Sequence, residues 1–271
     1  MPELIDLEVA RENMLKRIQK KKLREITVTA PKILQNISAE DLKAHFESRT
    51  IDDVERVAKM LLFRFGEDTM VVHLMLYGDY CWSDSDQKHR HVVLELQFEE
   101  CPSVLINDWS SWVKVEVDLP AAHTVSGMLS RQYGVDPLKE PITENMLSDI
   151  LSGHSRVGIK KMLMDQALFA GIGNAYADEI LWDARIHPTM TGKNMLQEKR
   201  VAGLASSMSK VLNDALDTVR TLSESRDIHE QPRDFMKVYR KSGKACPRCG
   251  YMIACLKVNG RDTFVCEKCQ Q

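Results

Sequence analysis

The segment KKMLMDQALFAGIGNAYADEILWDARIHP, residues 160–188, contains two helical patterns separated by a short turn with two glycines. Gly171 and Gly173 lie one residue apart in that turn, just before a helix predicted over Ala175–Asp183. A turn of this kind exposes backbone N–H groups at the start of the second helix, where the helix dipole also favours a phosphate. Gly-x-Gly alone is a weak signal that is more often an ordinary helical turn, so both interpretations stay open for the motif by itself.

Helical periodicity extends to both sides of this turn and fills the second half of the chain. The helices predicted there are Glu144–Leu151, Val157–Gln166, Ala175–Asp183 and Asn194–Ser223. The first half starts with a predicted helix, Asp6–Lys22, and continues with short segments that alternate in polarity or are rich in β-branched residues. These predicted strands are Glu25–Ala30, Ile51–Val57, Lys59–Phe65, Met70–Tyr77, His91–Phe98, Ser103–Asp108 and Trp112–Val117, with a short helix over Asp41–Glu47. The order predicts an α+β protein with an N-terminal two-layer β-sandwich.

Residues 119–143 are rich in proline and glycine and read as a connection between the two halves. We therefore predict a sandwich domain over residues 1–120, a linker over 121–143, a helical domain over 144–236 and a cysteine-containing finger over 237–271.

Four of the seven cysteines form two Cys-x-x-Cys pairs near the end of the sequence: Cys246, Cys249, Cys266 and Cys269. A gap of two residues lets both thiolates of a pair bind the same ion, and two pairs supply the four ligands of a structural zinc site. Because four thiolates leave no open position, we expect the Zn²⁺ ion to fold the finger and to take no part in a reaction. A redox or disulfide role is the alternative.

The composition is that of a globular protein, with 271 residues of which 44% are hydrophobic. The longest apolar runs are far shorter than the roughly 18 residues of a membrane span, and Met1-Pro2-Glu3 does not begin a signal peptide, so we expect a cytoplasmic protein. The formal net charge is −2, but residues 237–271 carry eight basic and two acidic side chains. Such a local positive segment is typical of nucleic-acid contacts and also occurs on merely solubilising surfaces.

Separated motifs of the chain resemble the formamidopyrimidine-DNA glycosylase and endonuclease VIII family. They are Pro2-Glu3-Leu4 at the start, Ala58-Lys59-Met60-Leu61-Leu62-Phe63 in the middle, and Val238-Tyr239-Arg240 with the four-cysteine finger at the end. Residues 160–188 resemble the helix-two-turn-helix of the same family, and the motifs follow its order over nearly the whole chain. The resemblance implies a monomeric base-excision-repair enzyme of the nucleoid that binds damaged double-stranded DNA and holds one structural Zn²⁺.

The resemblance also implies roles for individual residues. Pro2, a secondary amine once Met1 is removed, is the expected nucleophile that forms a Schiff base with the sugar, and Glu3 is the expected acid/base. Phosphate contacts fix position without reading sequence, and they would hold the DNA around an extruded nucleotide. The expected phosphate contacts are Lys59, Lys160, Asn174 and Arg261, of which Lys59 and Arg261 also assist the eliminations.

The segment His73-Leu74-Met75-Leu76-Tyr77-Gly78 falls where this family fills the gap left by the flipped base. Its Leu76-Tyr77-Gly78 resembles endonuclease VIII, although Met75 replaces the glutamine of that pattern. Apolar wedges hold open a base step, so Met75, Leu76 and Tyr77 are expected to contact DNA. The alternative for Met75 and Leu76 is a place in a core strand.

Asn107-Asp108-Trp109-Ser110-Ser111-Trp112 stands in place of the Asp-Pro-Arg-Arg/Lys-Phe-Gly loop of the oxidised-guanine enzymes. Serines replace the arginine that reads the cytosine opposite the lesion, so we expect little preference for cytosine. Trp112 either replaces the phenylalanine wedge, and so contacts DNA, or is buried. Asp6 replaces a glutamate of the pocket, and residues 224–237 lack a glycine-rich loop that caps the lesion. These departures weaken an assignment to 8-oxoguanine.

Three functions of different classes agree with these motifs to different degrees. The first is a bifunctional DNA glycosylase with AP lyase activity by β/δ-elimination, which removes oxidised bases and cleaves at abasic sites. The second is a protein of the same fold that binds lesions or abasic DNA without excision. Pro2, Glu3 and Lys59 together favour the enzyme, because binding alone needs no free terminal amine. A zinc-ribbon transcription factor would make no use of the N-terminus and fits poorly.

Overall fold

The computed structural model describes residues 1–85, 91–223 and 233–271. The chain forms two compact units, Met1–Gln132 with Val219–Gln231, and Tyr133–Thr218 with Pro232–Gln271. The finger thus belongs to the same unit as the helices that precede it, and the division into four parts at residues 120, 143 and 236 stays a prediction. Most of the segment compared above with a lesion-capping loop, residues 224–232, lies outside the described residues.

The first unit is built on two four-stranded antiparallel sheets. Its elements are α1 (Leu4–Ile18), β1 (Leu23–Val28), α2 (Ala39–Phe46), β2 (Asp53–Val57), β3 (Met60–Phe65), β4 (Asp68–His73), β5 (Asp79–Trp82), β6 (Val92–Phe98), β7 (Val104–Asn107) and β8 (Lys114–Asp118). The sheets have the strand orders β1-β6-β7-β5 and β2-β3-β4-β8. Buried side chains of both sheets and of α1 form one apolar core, which includes Met14, Ile26, Phe63 and Val115. The predicted α+β fold with an N-terminal sandwich is confirmed.

Helix α1 begins at Leu4, earlier than predicted, because the residue that caps it is Glu3 and Asp6 is already the third residue of the helix. The carboxylate of Asp6 accepts the backbone N–H of Glu3 over 2.8 Å, which is one half of a capping box. Glu3 and Asp6 are both buried. The aspartate that departs from the family pattern therefore fixes the backbone next to Pro2.

The strand predicted to continue to Tyr77 ends at His73. Met75 has a left-handed φ of 55°, and the N–H of Gly78 donates to the carbonyl of Leu74 over 2.9 Å, so the chain turns here. Strand β5, which the sequence did not predict, follows directly and pairs with β7. The turn leaves Tyr77 and the residue before it exposed, and this excludes a core-strand position for both.

The second unit contains helices and a hairpin. Its elements are α3 (Glu144–Gly153), α4 (Ile159–Leu163), α5 (Asn174–Asp183), α6 (Gly192–Gln197), the beginning of α7 (Val201–Ser223), β9 (Ala254–Val258) and β10 (Arg261–Val265). The single helix predicted over Asn194–Ser223 was wrong, since Lys199 with a φ of 54° separates α6 from α7. Among the residues described, none of the helices combines the length and apolar character of a membrane span.

Candidate nucleic-acid interface

The side chain of Gln166 holds the glycine turn before α5. Its Nε2 donates to the carbonyl of Ile172 over 2.9 Å, and its Oε1 accepts the N–H of Gly171 over 2.8 Å. Gly171 has a φ of 89°, a conformation that residues with a Cβ rarely adopt, and Gly173 caps α5 without a side chain. The turn therefore brings backbone, and no bulky group, to the positive end of α5. The glycines were evident in the sequence, whereas Gln166 was missed.

Asn174 and Lys160 both reach the hairpin turn that carries Arg261. Nδ2 of Asn174 donates to the carbonyl of Asp262 over 2.9 Å. The ammonium of Lys160 lies 2.7 Å from Oγ1 of Thr263 and 3.4 Å from the same Asp262 carbonyl. The structure therefore brings these predicted phosphate contacts of the second unit together at one place.

Lys160 is buried, and its ammonium forms an ion pair of 2.7 Å with Oδ1 of Asp178. Burial raises the pKa of Asp178 above its usual value, and the Lys160 ammonium beside it opposes that rise. The Lys160 ammonium is thus buried between Asp178 and the hairpin. Lys160 thus supports the hairpin, whereas the family resemblance assigns it a direct phosphate contact.

One side of α5 binds the finger along its whole length. Asn174, Asp178 and Trp182 follow one another at intervals of four residues, so they share a helix face. Oδ2 of Asp178 accepts the N–H of Phe264 over 3.0 Å, and Nε1 of Trp182 lies 3.4 Å from Sγ of Cys246. Sequence reasoning missed both contacts, although the four-residue spacing within the quoted segment was visible.

Glu179, the neighbour of Asp178 on α5, binds the segment that leads into the finger. Its buried carboxylate accepts the backbone N–H groups of Lys237, Val238 and Tyr239 at 2.8 to 2.9 Å. Three N–H groups on one carboxylate fix both the path and the direction of this segment. The sequence motif at Val238 is therefore a docking point for Glu179.

The four finger cysteines fit a single tetrahedral ion. Their sulfurs all lie within 4.8 Å of one another, with 3.9 Å between those of Cys246 and Cys269 and 3.5 Å between those of Cys249 and Cys266. A zinc ion with Zn–S bonds of about 2.3 Å requires sulfurs roughly 3.8 Å apart. A disulfide requires about 2.05 Å, so the alternative of paired disulfides does not fit.

Arg261 is exposed at the first position of β10. The two residues before it, Asn259 and Gly260, have φ angles of 51° and 75° and join β9 to β10. Two successive left-handed residues are the pattern of a type I′ turn, for which Asn-Gly is the preferred pair. The turn therefore presents the guanidinium of Arg261 to solvent from a hairpin that Asn174 and Lys160 hold.

In the first unit, a buried arginine connects α1 to the turn that carries Lys59. Nε of Arg56 lies 2.7 Å from the carboxylate of Glu8 on α1, and its NH1 donates to the carbonyl of Ala58 over 3.2 Å. Ala58 and Lys59 form the tight turn between β2 and β3, with Ala58 at a φ of 50°. Arg56, which sequence reasoning missed, thus fixes the Lys59 turn against the helix that begins next to Pro2.

His73, at the end of β4, lies beside a row of cations. It pairs with Met60, the residue after Lys59, on one neighbouring strand and with Lys114 on the other. Burial lowers the pKa of His73 to about 4, and the charges of Lys59, Lys114 and Arg131 add to this effect. Nδ1 of His73 accepts the N–H of Met75 over 2.9 Å, as a neutral imidazole does. The surface beside Lys59 is therefore positive and matches a phosphate.

Tyr77, Trp109 and Trp112 form an exposed aromatic cluster. Their exposed fractions are 47%, 64% and 53%, so Trp112 is not buried. The ring centroid of Tyr77 lies 4.8 Å from that of Trp109 and 5.8 Å from that of Trp112. The structure therefore brings together Tyr77 and Trp112, which come from the two segments predicted to contact DNA. It adds Trp109, which the sequence did not single out.

Asp108 organises the loop that carries the two tryptophans. Its buried carboxylate accepts the backbone N–H groups of Ser110, Trp112 and Val113 and, over 2.6 Å, the hydroxyl of Ser110. Burial tends to raise the pKa of Asp108, but these hydrogen bonds outweigh it and lower the pKa below its usual value. The loop is thus fixed by an ionised carboxylate before any partner binds.

Pro2, Glu3 and Lys59 belong to the first unit, and Lys160, Asn174 and Arg261 belong to the second. Pro2 is buried at the start of α1, and Lys59 is half-buried at its turn. Each unit therefore carries its own group of the predicted site residues.

Comparison with family models matches nearly the whole chain. Residues 1–110 match the formamidopyrimidine-DNA glycosylase N-terminal domain, residues 133–227 the formamidopyrimidine-DNA glycosylase H2TH domain, and residues 243–271 the zinc finger found in FPG and IleRS. The last match and the geometry of the four sulfurs confirm the predicted site for one structural Zn²⁺.

Individual relatives match from end to end. The formamidopyrimidine-DNA glycosylase of Lactococcus lactis subsp. lactis (strain IL1403) is 32% identical over 279 residues, with 100% of both chains covered. A solved complex of Lactococcus lactis Fpg with DNA that contains an abasic site has a TM-score of 0.84 and 30% identity, over 99% of each chain. A complex of the same species' wild-type Fpg with DNA that contains an oxidised pyrimidine has a TM-score of 0.84 and 30% identity, over 100% of each chain. This chain belongs to the formamidopyrimidine-DNA glycosylase family.

Proposed function

We propose that this family member is a bifunctional enzyme, a DNA glycosylase with AP lyase activity whose nucleophile is the amine of Pro2. The observation that carries the proposal is the start of α1, where Pro2 and Glu3 are buried and Asp6 fixes the backbone between them and the helix. A protein that only binds DNA needs neither a terminal amine nor a buried acid next to it.

The chemistry follows from a secondary amine. The nitrogen of Pro2 forms a bond to C1′ of the sugar, and the damaged base leaves with the electrons of the glycosidic bond and takes up a proton. Opening of the sugar ring gives an iminium ion, which acidifies the C2′ proton, and loss of that proton expels the 3′ phosphate. A second elimination expels the 5′ phosphate, and water releases Pro2. Glu3 is the proposed group that moves protons in these steps.

The phosphates on either side of the reacting sugar need cations that hold them in place. Lys59, next to the positive surface around His73, and Arg261, on its I′ turn, are the proposed direct contacts and assist phosphate departure. Asn174 and the N-terminus of α5 are the proposed contacts for a neighbouring phosphate. For Lys160 we propose an indirect role, since its buried ammonium positions the hairpin of Arg261.

The proposed substrates are oxidised bases and abasic sites in double-stranded DNA. Complexes of the Lactococcus lactis relative with an abasic site and with an oxidised pyrimidine support this class. The hydroxyl and N–H of Ser110 are both engaged by Asp108, and this supports the expectation of little preference for cytosine opposite the lesion.

Borohydride trapping on abasic-site DNA tests the mechanism. We expect the wild type to form a covalent adduct and Pro2→Gly to trap much less. Glu3→Gln should be impaired in removing a damaged base, which is measured on duplexes that contain a lesion. A chain with extra residues before Pro2 is the matched control, because it keeps every side chain and lacks the free secondary amine. If the wild type binds abasic DNA, forms no adduct and releases no base from lesion-containing DNA, the protein recognises damage without excision. A panel with thymine glycol, dihydrouracil, 8-oxoguanine and formamidopyrimidine lesions then defines the substrate.

A further inference from the structure

Trp182, near the C-terminal end of α5, packs into the finger. It is 9% exposed and belongs to a small apolar cluster with Val238, Cys246, Ile253 and Cys266. Trp182 comes from a helix, whereas these four residues come from the finger and from the segment that leads into it. A segment as short as this finger buries little apolar surface by its own side chains. The indole of α5 therefore completes the apolar core of the finger.

The polar edge of the same indole faces a zinc ligand. Nε1 of Trp182 donates to Sγ of Cys246 over 3.4 Å. The indole N–H can only donate, so the sulfur is the acceptor. With zinc bound, this sulfur is a thiolate, and a charged acceptor forms a stronger hydrogen bond than a neutral one. The buried N–H therefore has a partner that becomes a better acceptor when the metal binds.

Arg248, which lies between Cys246 and Cys249 in the sequence, fixes the orientation of the indole. Its guanidinium carbon lies 4.1 Å from the centroid of the Trp182 ring. Its NH1 donates to the carbonyl of Trp182 over 2.8 Å, and its NH2 donates to the carbonyl of Asp183 over 3.3 Å. A cation at the last carbonyls of a helix also complements the helix dipole. The first cysteine pair thus carries the residue that holds the indole beside it.

The second cysteine pair is held from the same end of α5. The N–H of Cys266 donates to Oε1 of Gln270 over 2.9 Å, and Nε2 of Gln270 donates to the carbonyl of Ile186 over 3.0 Å. Gln270 is buried, and Ile186 follows shortly after the last residue of α5. Groups that hydrogen-bond the ligands of a metal fix their orientation and tune the affinity for the ion. Both halves of the zinc site therefore have such contacts, and Trp182 acts on a ligand sulfur itself.

We infer that Trp182 is a positioning residue of the zinc site, whose indole N–H donates to the thiolate of Cys246 and strengthens zinc binding. The inference concerns the metal site alone and holds whether or not the protein excises bases. The alternative is that the ring only packs against the finger, in which case the N–H has no effect on the metal. Removing the N–H while keeping an aromatic ring distinguishes the two.

The zinc affinity of the whole chain is measured by competition with a chromophoric chelator. Trp182→Phe keeps an aromatic ring beside Arg248 and removes the N–H donor. We expect this variant to bind zinc about 10- to 100-fold more weakly than the wild type, which is the usual effect of losing a group that hydrogen-bonds a metal ligand. Tyr251→Phe is the matched control, because it removes a hydroxyl from an exposed aromatic residue of the same finger. It should bind zinc like the wild type.

Cobalt(II) in place of zinc separates the hydrogen bond from packing. Its absorption includes sulfur-to-cobalt charge-transfer bands, and a hydrogen bond to a thiolate lowers the energy of the sulfur electrons. We therefore expect these bands to move to longer wavelength in Trp182→Phe and to stay in place in Tyr251→Phe. Incorporation of 3-benzothienylalanine in place of Trp182 keeps the two-ring shape without an N–H and should give the same shift.

Two results would overturn the inference. In one, Trp182→Phe binds zinc as tightly as the wild type. In the other, zinc binding weakens while the cobalt bands stay in place, so that the loss comes from packing alone. If Trp182→Phe does not fold, the chain with benzothienylalanine decides between the same outcomes by the same two measurements.

Discussion

Replacing Lys160 by methionine tests whether its ammonium stabilises the fold through the ion pair with Asp178 or contacts a DNA phosphate directly. Both partners are buried, with 2% of the Lys160 side chain and 0% of the Asp178 side chain exposed. Removal of one partner of a buried pair costs about 3–5 kcal/mol, because the other charge stays behind without compensation. At roughly 2–4 °C per kcal/mol, we expect the Tm of Lys160→Met to fall by about 6–20 °C. Thermal unfolding followed by circular dichroism measures this loss.

The loss should also depend on pH with a definite sign. Burial already raises the pKa of Asp178, and removal of the Lys160 ammonium raises it further. A carboxyl with a higher pKa in the folded than in the unfolded state contributes stability below the unfolded pKa and loses it as the pH rises through the folded pKa. The destabilisation of Lys160→Met relative to the wild type should therefore grow from acidic to neutral pH.

Two further variants complete the test. Lys161→Met removes the neighbouring, exposed lysine of α4 and should change the unfolding free energy by about 0.5 kcal/mol or less. Lys160→Met with Asp178→Asn removes both charges and keeps an acceptor for the Phe264 N–H, so it should regain most of the loss.

The salt dependence of DNA binding then decides the role of Lys160. Each phosphate contact contributes about 0.9 to the slope of log K against log salt on duplex DNA. Arg261→Gln should lower the slope by about that amount. The reasoning for Lys160 is refuted if the stable double variant also shows a slope lower by about 0.9, because Lys160 would then contact a phosphate itself.

Three other predictions follow from the same contacts. Burial lowers the pKa of His73 to about 4 in the folded protein, so on acidification its imidazole is protonated first in the unfolded chain. The free energy of unfolding should therefore fall by about 3 kcal/mol as the pH drops from 6.5 towards 4. Denaturant titrations should show a smaller fall for His73→Asn. Arg56→Met should lower the unfolding free energy by about 3 kcal/mol and slow strand cleavage, since the Lys59 turn loses its link to α1; cleavage as fast as in the wild type would contradict the positioning role. Zinc removal, or Cys249→Ser, should abolish binding to abasic DNA and lower the metal content, whereas Cys255→Ser, outside the cluster, should retain one zinc per chain by elemental analysis.

Features with a short-range sequence signal could be predicted, and those set by tertiary contacts could not. The spacing of the cysteines identified the zinc ligands, because two residues between ligands suffice to define the turn geometry. Alternation identified most strands of the sandwich, but β5 has only the four residues Asp79–Trp82 and no clear alternation. The strand predicted to run to Tyr77 was too long, since nothing local indicates that Met75, which is not a glycine, adopts a left-handed conformation.

The candidate site shows the same limit. Pro2, Lys59 and Asn174 were predicted from motifs, each of which is contiguous in sequence. Arg56 and Glu179 were missed because an ordinary charged residue becomes a buried anchor only when the fold brings its partner to it. Charged residues are usually solvated, so sequence alone favours the exposed interpretation. For Lys160 the family resemblance predicts a phosphate contact, and only the fold brings Asp178 to its ammonium.

The face of α5 that binds the finger also restricts how this protein can diverge. Its contacts at Asn174, Asp178 and Trp182 depend on the 3.6-residue repeat of the helix. An insertion or deletion of a single residue between them would rotate the rest of the helix by about 100° and break every later contact at once. A substitution here therefore affects one contact, whereas a change in length affects all the contacts that follow it. The number of residues in α5 is therefore constrained. Insertions and deletions among descendants of this sequence should be confined to the loops.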